Sequence, residues 1–153
     1  MKKKLPVGKL DMGFLRGLLT RHATVDERLL VGPGIGEDAA VIDFGEKLLV
    51  AATDPITFAT EEMGWYLVHV NANDIACTGA IPRWLLVTIL LPEGLATEES
   101  VESIFSQISE ACGAINVLLA GGHTEVTSGL YRPIVVGQML GEVERGGLGT
   151  SSG

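Results

Sequence analysis

The sequence predicts a mixed α/β domain, and three observations carry that expectation. Segments with apolar residues at helical spacing alternate with short β-rich runs. Glycine and proline punctuate the boundaries between them. The chain has 153 residues, 46% of them hydrophobic, enough to bury one core but not two.

Taken in order, residues 10 to 23 place Leu15, Leu18 and Leu19 on one stripe with charges opposite, which predicts a short amphipathic helix. A glycine loop follows at Gly32-Pro33-Gly34-Ile35-Gly36. Two β-rich runs, 39–44 and 47–53, flank a turn at Gly45-Glu46 and read as a hairpin or as successive strands. Thr60-Glu61-Glu62 offers a hydroxyl N-cap and two first-turn carboxylates, opening a helix that runs to about Thr78 and stops at Gly79. On that helix Trp65, Val68, Ala72, Ile75 and Ala76 mark the apolar face. The continuous apolar run 83–91 predicts a strand covered on both faces, and Pro92-Glu93-Gly94 turns the chain. Thr97-Glu98-Glu99 opens a second long helix, with Val101, Ile104, Phe105, Ile108 and Cys112 on one stripe. Residues 116–120 form a short strand entering Gly121-Gly122, and 132–143 form the last strand. The segment 146–153 has nothing to pack.

Composition narrows the function. The formal net charge is −8, from 11 basic and 19 acidic residues, which leaves no basic surface for nucleic acid or anionic membrane. Lys2 to Lys4 form the only cationic cluster, in a basic tail over residues 1–9. No stretch is long and apolar enough to span a bilayer, and no secretory signal is present, so a cytoplasmic setting is expected. Cys77 and Cys112 have no metal-ligand spacing and read as two reduced, buried thiols. The 20 glycines are nearly twice the usual share of about 7%.

Four places carry candidate chemistry. Gly32 to Gly36 followed by Glu37 and Asp38 lets backbone N–H groups approach a ligand and supplies acids for a divalent cation, although such a loop is also an ordinary turn. Asp54 follows the apolar run 48–52 at a strand end, where α/β proteins hold metals and phosphates; an Asx-type turn before Pro55 is the plain alternative. Asn71, Asp74 and Thr78 fall at i, i+3 and i+7, so they share one helix face. A carboxylate there needs a cation or a partner, and a solvated stripe or an ion pair with Arg83 are the competing readings. His123 and Glu125, after Gly121-Gly122, are candidates for acid/base work or phosphate and metal contact, or are simply loop residues. His22 and His69 lack such surroundings and read as structural. Four acids with few lysines point to phosphates held through Mg²⁺ rather than by a basic clamp.

These motifs, in this order, resemble the aminoimidazole ribonucleotide synthetase (PurM-like) superfamily over about residues 10 to 145. Gly36-Glu37-Asp38-Ala39-Ala40 is similar to its Gly-Asp-Asp-Ala-Ala, and Thr53-Asp54 to its Thr-Asp. Val70-Asn71-Ala72-Asn73-Asp74-Ile75-Ala76 with Gly79-Ala80 resembles its Val-Asn helix, and Gly121-Gly122-His123-Thr124-Glu125 its second glycine segment. The resemblance implies a four-stranded mixed sheet with helices on one face, and two such sheets pairing across a homodimer. It implies an enzyme using ATP and Mg²⁺ that transfers the γ-phosphate to an amide or carbonyl oxygen. By position, Asp38, Asp54 and Asp74 would ligate Mg²⁺, and Gly34, Gly36, Asn71, Gly121 and Gly122 would bind or support the nucleotide. His123 and Glu125 would be the catalytic pair.

The departures sharpen the expectation. Glu37 stands where the family has its first Asp. The thiamine-phosphate kinases carry Glu-Gly-Val-His-Phe soon after Thr-Asp, whereas Pro55-Ile56-Thr57-Phe58-Ala59 stands here, which argues against that activity. The purine synthetase's Asp-Gly-Val-Gly-Thr-Lys is also missing. Family enzymes are about twice this length, so 146–153 reads as the start of a linker to a further domain. The resemblance is greatest to the hydrogenase-maturation protein HypE, which implies a carbamoyl-transferring maturation partner. Another synthetase or kinase of the superfamily, and a non-catalytic dimerisation module, are the alternatives.

Overall fold

The computed structural model describes residues 4–58 and 61–149. In chain order it holds α1 (Met12–His22), β1 (Leu29–Val31), β2 (Ala40–Asp43), β3 (Lys47–Ile56), α2 (Met63–Ala76), β4 (Ile81–Pro92), α3 (Glu98–Ala114), β5 (Leu118–Thr127) and β6 (Ile134–Glu144), then a 3-10 turn at Arg145–Gly147. The strands form one mixed sheet in the order β1-β2-β3-β6-β4-β5. All neighbours are antiparallel except β4 and β5, which run parallel across the α3 connection.

The mixed α/β class holds, but the sheet has six strands where the family resemblance implied four. β1 is three residues long and irregular in register, too short to announce itself in the sequence. β5 does not stop at Ala120: it continues through Gly121-Gly122 to Thr127 as an exposed edge strand. Gly122 permits this, because a Cβ there would run into the Val87 carbonyl oxygen of β4. The predicted hairpin is present as β2–β3, with Gly45 at φ 93° in the turn.

Helices α2 and α3 cover one face of the sheet. There Leu48, Val50 and Ala52 of β3, Leu85, Val87 and Ile89 of β4, and Val135 and Met139 of β6 are buried, so each strand alternates with period two. The opposite face, with Leu49, Ala51, Leu86, Val136 and Leu140, is only partly buried. α3 opens at Thr97 as predicted: Thr97 Oγ1 accepts from the Ser100 N–H at 3.1 Å and Ser100 Oγ accepts from the Thr97 N–H at 3.0 Å, a reciprocal cap. α2 opens at Met63 with Glu62 in the N-cap position; Thr60, expected there, lies outside the described residues.

The buried stripe of α2 is Met63, Gly64, Leu67, Val68, Asn71, Ala72 and Ile75. It is rotated from the predicted face: Trp65 and Ala76 are exposed, and Asn71 points into the core. Gly64 lets α3 approach, since a Cβ there would fall 2.8 Å from the Ile104 carbonyl oxygen. α1 has its N-cap Asp11 accepting from Phe14 N–H at 3.1 Å, and buries no residue fully. Cys112 is buried as expected, but Cys77 is exposed, and both are free thiols. The tail also packs further than the sequence implied. Leu148 lies against the core, and Gly149 N–H donates to the Thr78 carbonyl at 2.6 Å where Gly79 (φ 90°) ends the α2 region. No helix among the described residues is long and apolar enough to cross a membrane.

Candidate metal and nucleotide site

Three elements converge at one end of the sheet: the loop before β2, the second half of β3, and the last turns of α2. β2 ends its pairing with β3 at Ala40–Ala51, so the stretch from Ala52 to Ile56 keeps only β6 as a strand neighbour. Asp54 lies in that stretch, opposite Gly137 of β6. From α2, Asn71 grips its backbone: Asp54 N–H donates to Asn71 Oδ1 at 3.0 Å, and Asn71 Nδ2 donates to the Asp54 carbonyl at 3.3 Å.

One turn further along α2, the Asp74 carboxyl hydrogen-bonds that of Asp54. Partial burial, then that hydrogen bond and the charges of Asp54 and Asp38, push the Asp74 carboxyl up from 3.8 to about 7, with Lys9 opposing. Two carboxylates in contact cannot both ionise cheaply, so the pair keeps a proton until the pH rises to about 7.

Asp38 stands between two cavities. One is an ion-sized cleft of about 30 Å³ walled by Glu37, Asp38, Asp74, Cys77 and Thr78, with room for a cation or a water or two. The other is an open groove of about 650 Å³, on the scale of a small-molecule site, walled by Gly32, Pro33, Glu37, Asp38, Thr53 and Gln138 among others. The donor set at the cleft is hard carboxylate and hydroxyl oxygen, the chemistry Mg²⁺ prefers, with one exposed thiol beside it. Asp38 reaches Asp74 only through its charge, and no group of three His, Cys, Asp or Glu among the described residues is assembled as a coordination shell. The donor set supplies the one or two carboxylates that Mg²⁺ takes directly, and does not complete a protein shell around it.

The other predicted residues sort clearly. Gly34 and Gly36 shape the loop: the Gly34 carbonyl accepts from Glu37 N–H at 3.2 Å, and Gly36 sits at φ 84°. Gly32 and Pro33, rather than these two, wall the large groove. Asn71 is fully buried, with its carboxamide turned to backbone groups. Thr78 lines the cleft, with its hydroxyl donating to the Ile75 carbonyl at 2.6 Å. Arg83 pairs with Glu142 at 3.1 Å and not with Asp74.

His123 and Glu125 are not with the acids. They lie on β5, separated from β3 by β6 and β4, about 14 Å away at ordinary strand spacing. His123 Nε2 and Glu125 Oε1 are 2.8 Å apart, and Thr127 Oγ1 donates to Glu125 Oε2 at 2.8 Å, so the three share one face of the edge strand. His123, then Thr127, hold the Glu125 carboxyl below its usual range. Gly121 and Gly122 precede them on the same strand. Thr53, part of the Thr-Asp motif, lines the groove; Gln138 and Cys77 were not singled out as site residues by sequence, and only their positions beside Gly137 and Asp74 in the fold reveal them.

Residues 36–143 match the model of the AIR synthase related protein, N-terminal domain. The chain belongs to this family. A hydrogenase expression/formation protein of Methanocaldococcus jannaschii is 29% identical over 91% of this chain and 43% of its own length. The thiamine-monophosphate kinase of Rhodopirellula baltica is 35% identical over 78% of this chain and 42% of its own. Two solved structures share the fold at TM-score 0.72 and 22% identity over 90% of this chain: a ThiL protein complexed with AMPPCP and TMP, and a HypE–HypF complex. This chain spans 43% and 44% of those chains, so less than half the length of the relatives it matches.

Proposed function

We propose that this chain is the nucleotide- and Mg²⁺-binding N-terminal part of an ATP-dependent, HypE-like enzyme. That enzyme phosphorylates an amide or carbonyl oxygen to drive a dehydration in hydrogenase maturation. The observation that carries the nucleotide reading is Asp38, which walls both the ion-sized cleft with Asp74 and the large groove. A cation held by Asp38, Asp54 and Asp74 would stand next to phosphates lying in that groove; Asp54 lines neither cavity and reaches the site through Asp74. Bound there, the metal supplies the positive charge that an acidic chain lacks. The chain's own part is to fix Asp54 and Asp74 on two packed elements, and to bring Asp38 from the glycine loop.

His123 faces the open side of the sheet, paired with Thr88 two residues along β4 from Leu86 of the groove wall. In this reading His123 and Glu125 handle the proton of the phosphoryl acceptor. The open sheet face around Leu86, Val136 and Leu140 is the surface through which two copies pair as a homodimer, and because Leu86 and Leu140 also wall the groove, the groove opens into that interface. A carbamoyl-transferring protein is the maturation partner, residues 146–153 lead to a further domain, and the setting is cytoplasmic.

The second reading, a thiamine-monophosphate kinase-like activity, is favoured by the 35% identical relative. Calorimetry of Mg²⁺-dependent ATP binding by the full-length protein tests the metal assignment. Binding is expected to be lost in Asp54→Asn and Asp74→Asn, and Mg²⁺-dependent binding retained in both removes it. ATP turnover with thiamine phosphate, compared with carbamoylated and formylglycinamide-type acceptors, separates the enzyme readings. Absence of any ATP-dependent thermal shift would leave only a dimerisation module.

A further inference from the structure

Asn71 is the one buried polar side chain among the described residues, and it sits mid-helix, where asparagine is a poor helix former. Burial of an amide is tolerated only when its groups are paired. Here they are: Oδ1 accepts from Asp54 N–H at 3.0 Å, and Nδ2 donates to the carbonyls of Asp54 at 3.3 Å and Leu67 at 2.9 Å. Both amide protons are used, and the group has no exposed surface for a ligand.

The opposing strand is built around this side chain. Gly137 of β6 lies across from Asp54, and a Cβ there would run into the Asn71 carboxamide. A glycine inside a strand weakens it, so its presence at this point marks a close approach. The Leu67 bond ties the amide to the preceding turn of its own helix, and the Asp54 bonds tie it to β3. Three residues later the same helix supplies Asp74, whose carboxyl meets that of Asp54. Beside the apolar packing of Leu67, Val68, Ala72 and Ile75, this amide is the polar tie between α2 and β3 at the level of the two carboxylates.

We propose that Asn71 is a positioning residue that fixes the Asp54–Asp74 spacing for a small divalent cation and so favours Mg²⁺ over Ca²⁺. This rests on the reading that the two carboxylates hold the metal. Mg²⁺ demands near-ideal octahedral geometry, whereas Ca²⁺ accepts longer and irregular ligand sets, so a loosened pair penalises Mg²⁺ more.

The test is calorimetric titration of the full-length protein with MgCl₂ and with CaCl₂ in the presence of ATP, for Asn71→Asp, Asn71→Ser and Gly137→Ala. Asn71→Asp keeps the acceptor but loses both donors, and Gly137→Ala displaces the amide without changing it. Supporting the proposal, Mg²⁺ affinity falls about tenfold or more, as for other residues that orient metal ligands, while Ca²⁺ affinity falls less. Equal losses for both ions, tracking the loss of melting temperature, make Asn71 merely structural and overturn it, as does unchanged Mg²⁺ affinity in Gly137→Ala. Should Asn71→Asp fail to fold, Asn71→Ser and Gly137→Ala decide. Failure of the underlying metal reading shows separately, as Mg²⁺ affinity unaltered in Asp54→Asn and Asp74→Asn.

Discussion

Replacing Asp74 with asparagine should stabilise the metal-free protein at pH 8 and abolish its response to Mg²⁺. The Asp74 carboxyl is raised from 3.8 to about 7, chiefly by burial and then by Asp54. Between those values the folded state keeps a proton that the unfolded chain has lost. Stability therefore falls as pH rises from about 4 to about 7, and stays at its low level above that. At full burial such a shift would correspond to about 4 kcal/mol. Asp74 is only partly buried, and solvent screening brings this to about 1–2 kcal/mol. An amide at position 74 can donate to Asp54 at every pH, so Asp74→Asn should melt roughly 3–6 °C higher than the wild type at pH 8, and close to it at pH 5. Mg²⁺ at a hundred times its dissociation constant should raise the wild type by about 2.7 kcal/mol, reversing the order of the two proteins. Differential scanning calorimetry at pH 5 and 8, with and without MgCl₂, reads all four conditions. A variant that melts lower than wild type at pH 8 without metal, or that gains equally from Mg²⁺, refutes the reasoning.

Gly122→Ala should cost about 1–3 kcal/mol in urea denaturation, because its Cβ collides with the Val87 carbonyl; an unchanged midpoint would mean that β5 is not paired as described. Gly64→Ala should cost a similar amount by forcing α2 from α3, since a Cβ falls 2.8 Å from the Ile104 carbonyl oxygen and from Gln107 Cβ, and amide exchange should rise in both helices. Leu140→Lys on the open sheet face should change monomer stability by less than about 0.5 kcal/mol yet convert a dimer to monomer in sedimentation velocity. A dimer that survives this substitution does not use that face.

What could be read from the sequence was set by local chemistry. The Thr97 cap and the Gly45 turn depend on neighbours within a few residues, and each lies where the spacing put it; Asp54, expected at a strand end, lies inside β3, which runs on to Ile56. β5 was obscured because an edge strand exposed on both faces has no alternation to show, and two glycines read as a stop. The face of α2 was misread because Asn71 counts as polar in any periodicity, yet its partners, Asp54 and Leu67, make it a core residue. The division of the candidate site is a tertiary fact. Asp54 and Asp74 meet, with Asp38 near enough to act on Asp74 through its charge, because β2 ends early beside β3, while His123 and Glu125 are carried to the far edge by the parallel β4–β5 crossover.

The acidity of this chain acquires a specific meaning from that arrangement. Asp54 and Asp74 come from a strand and a helix locked together in the core, so the protein cannot relieve their repulsion by moving them apart. It relieves it with a proton. In the proposed function a divalent cation would do the same more completely and would release that proton on binding. Asp38 differs: it follows Gly36 at φ 84° in a loop and is exposed, so it is the carboxylate free to adjust to whatever fills the groove. Under the proposed function, a fixed pair tuned by burial and a third acid on an adjustable loop would make metal affinity depend on the occupant of the groove. In the proposed function the net charge of −8 is the reason a polyphosphate in the groove would come with its cation.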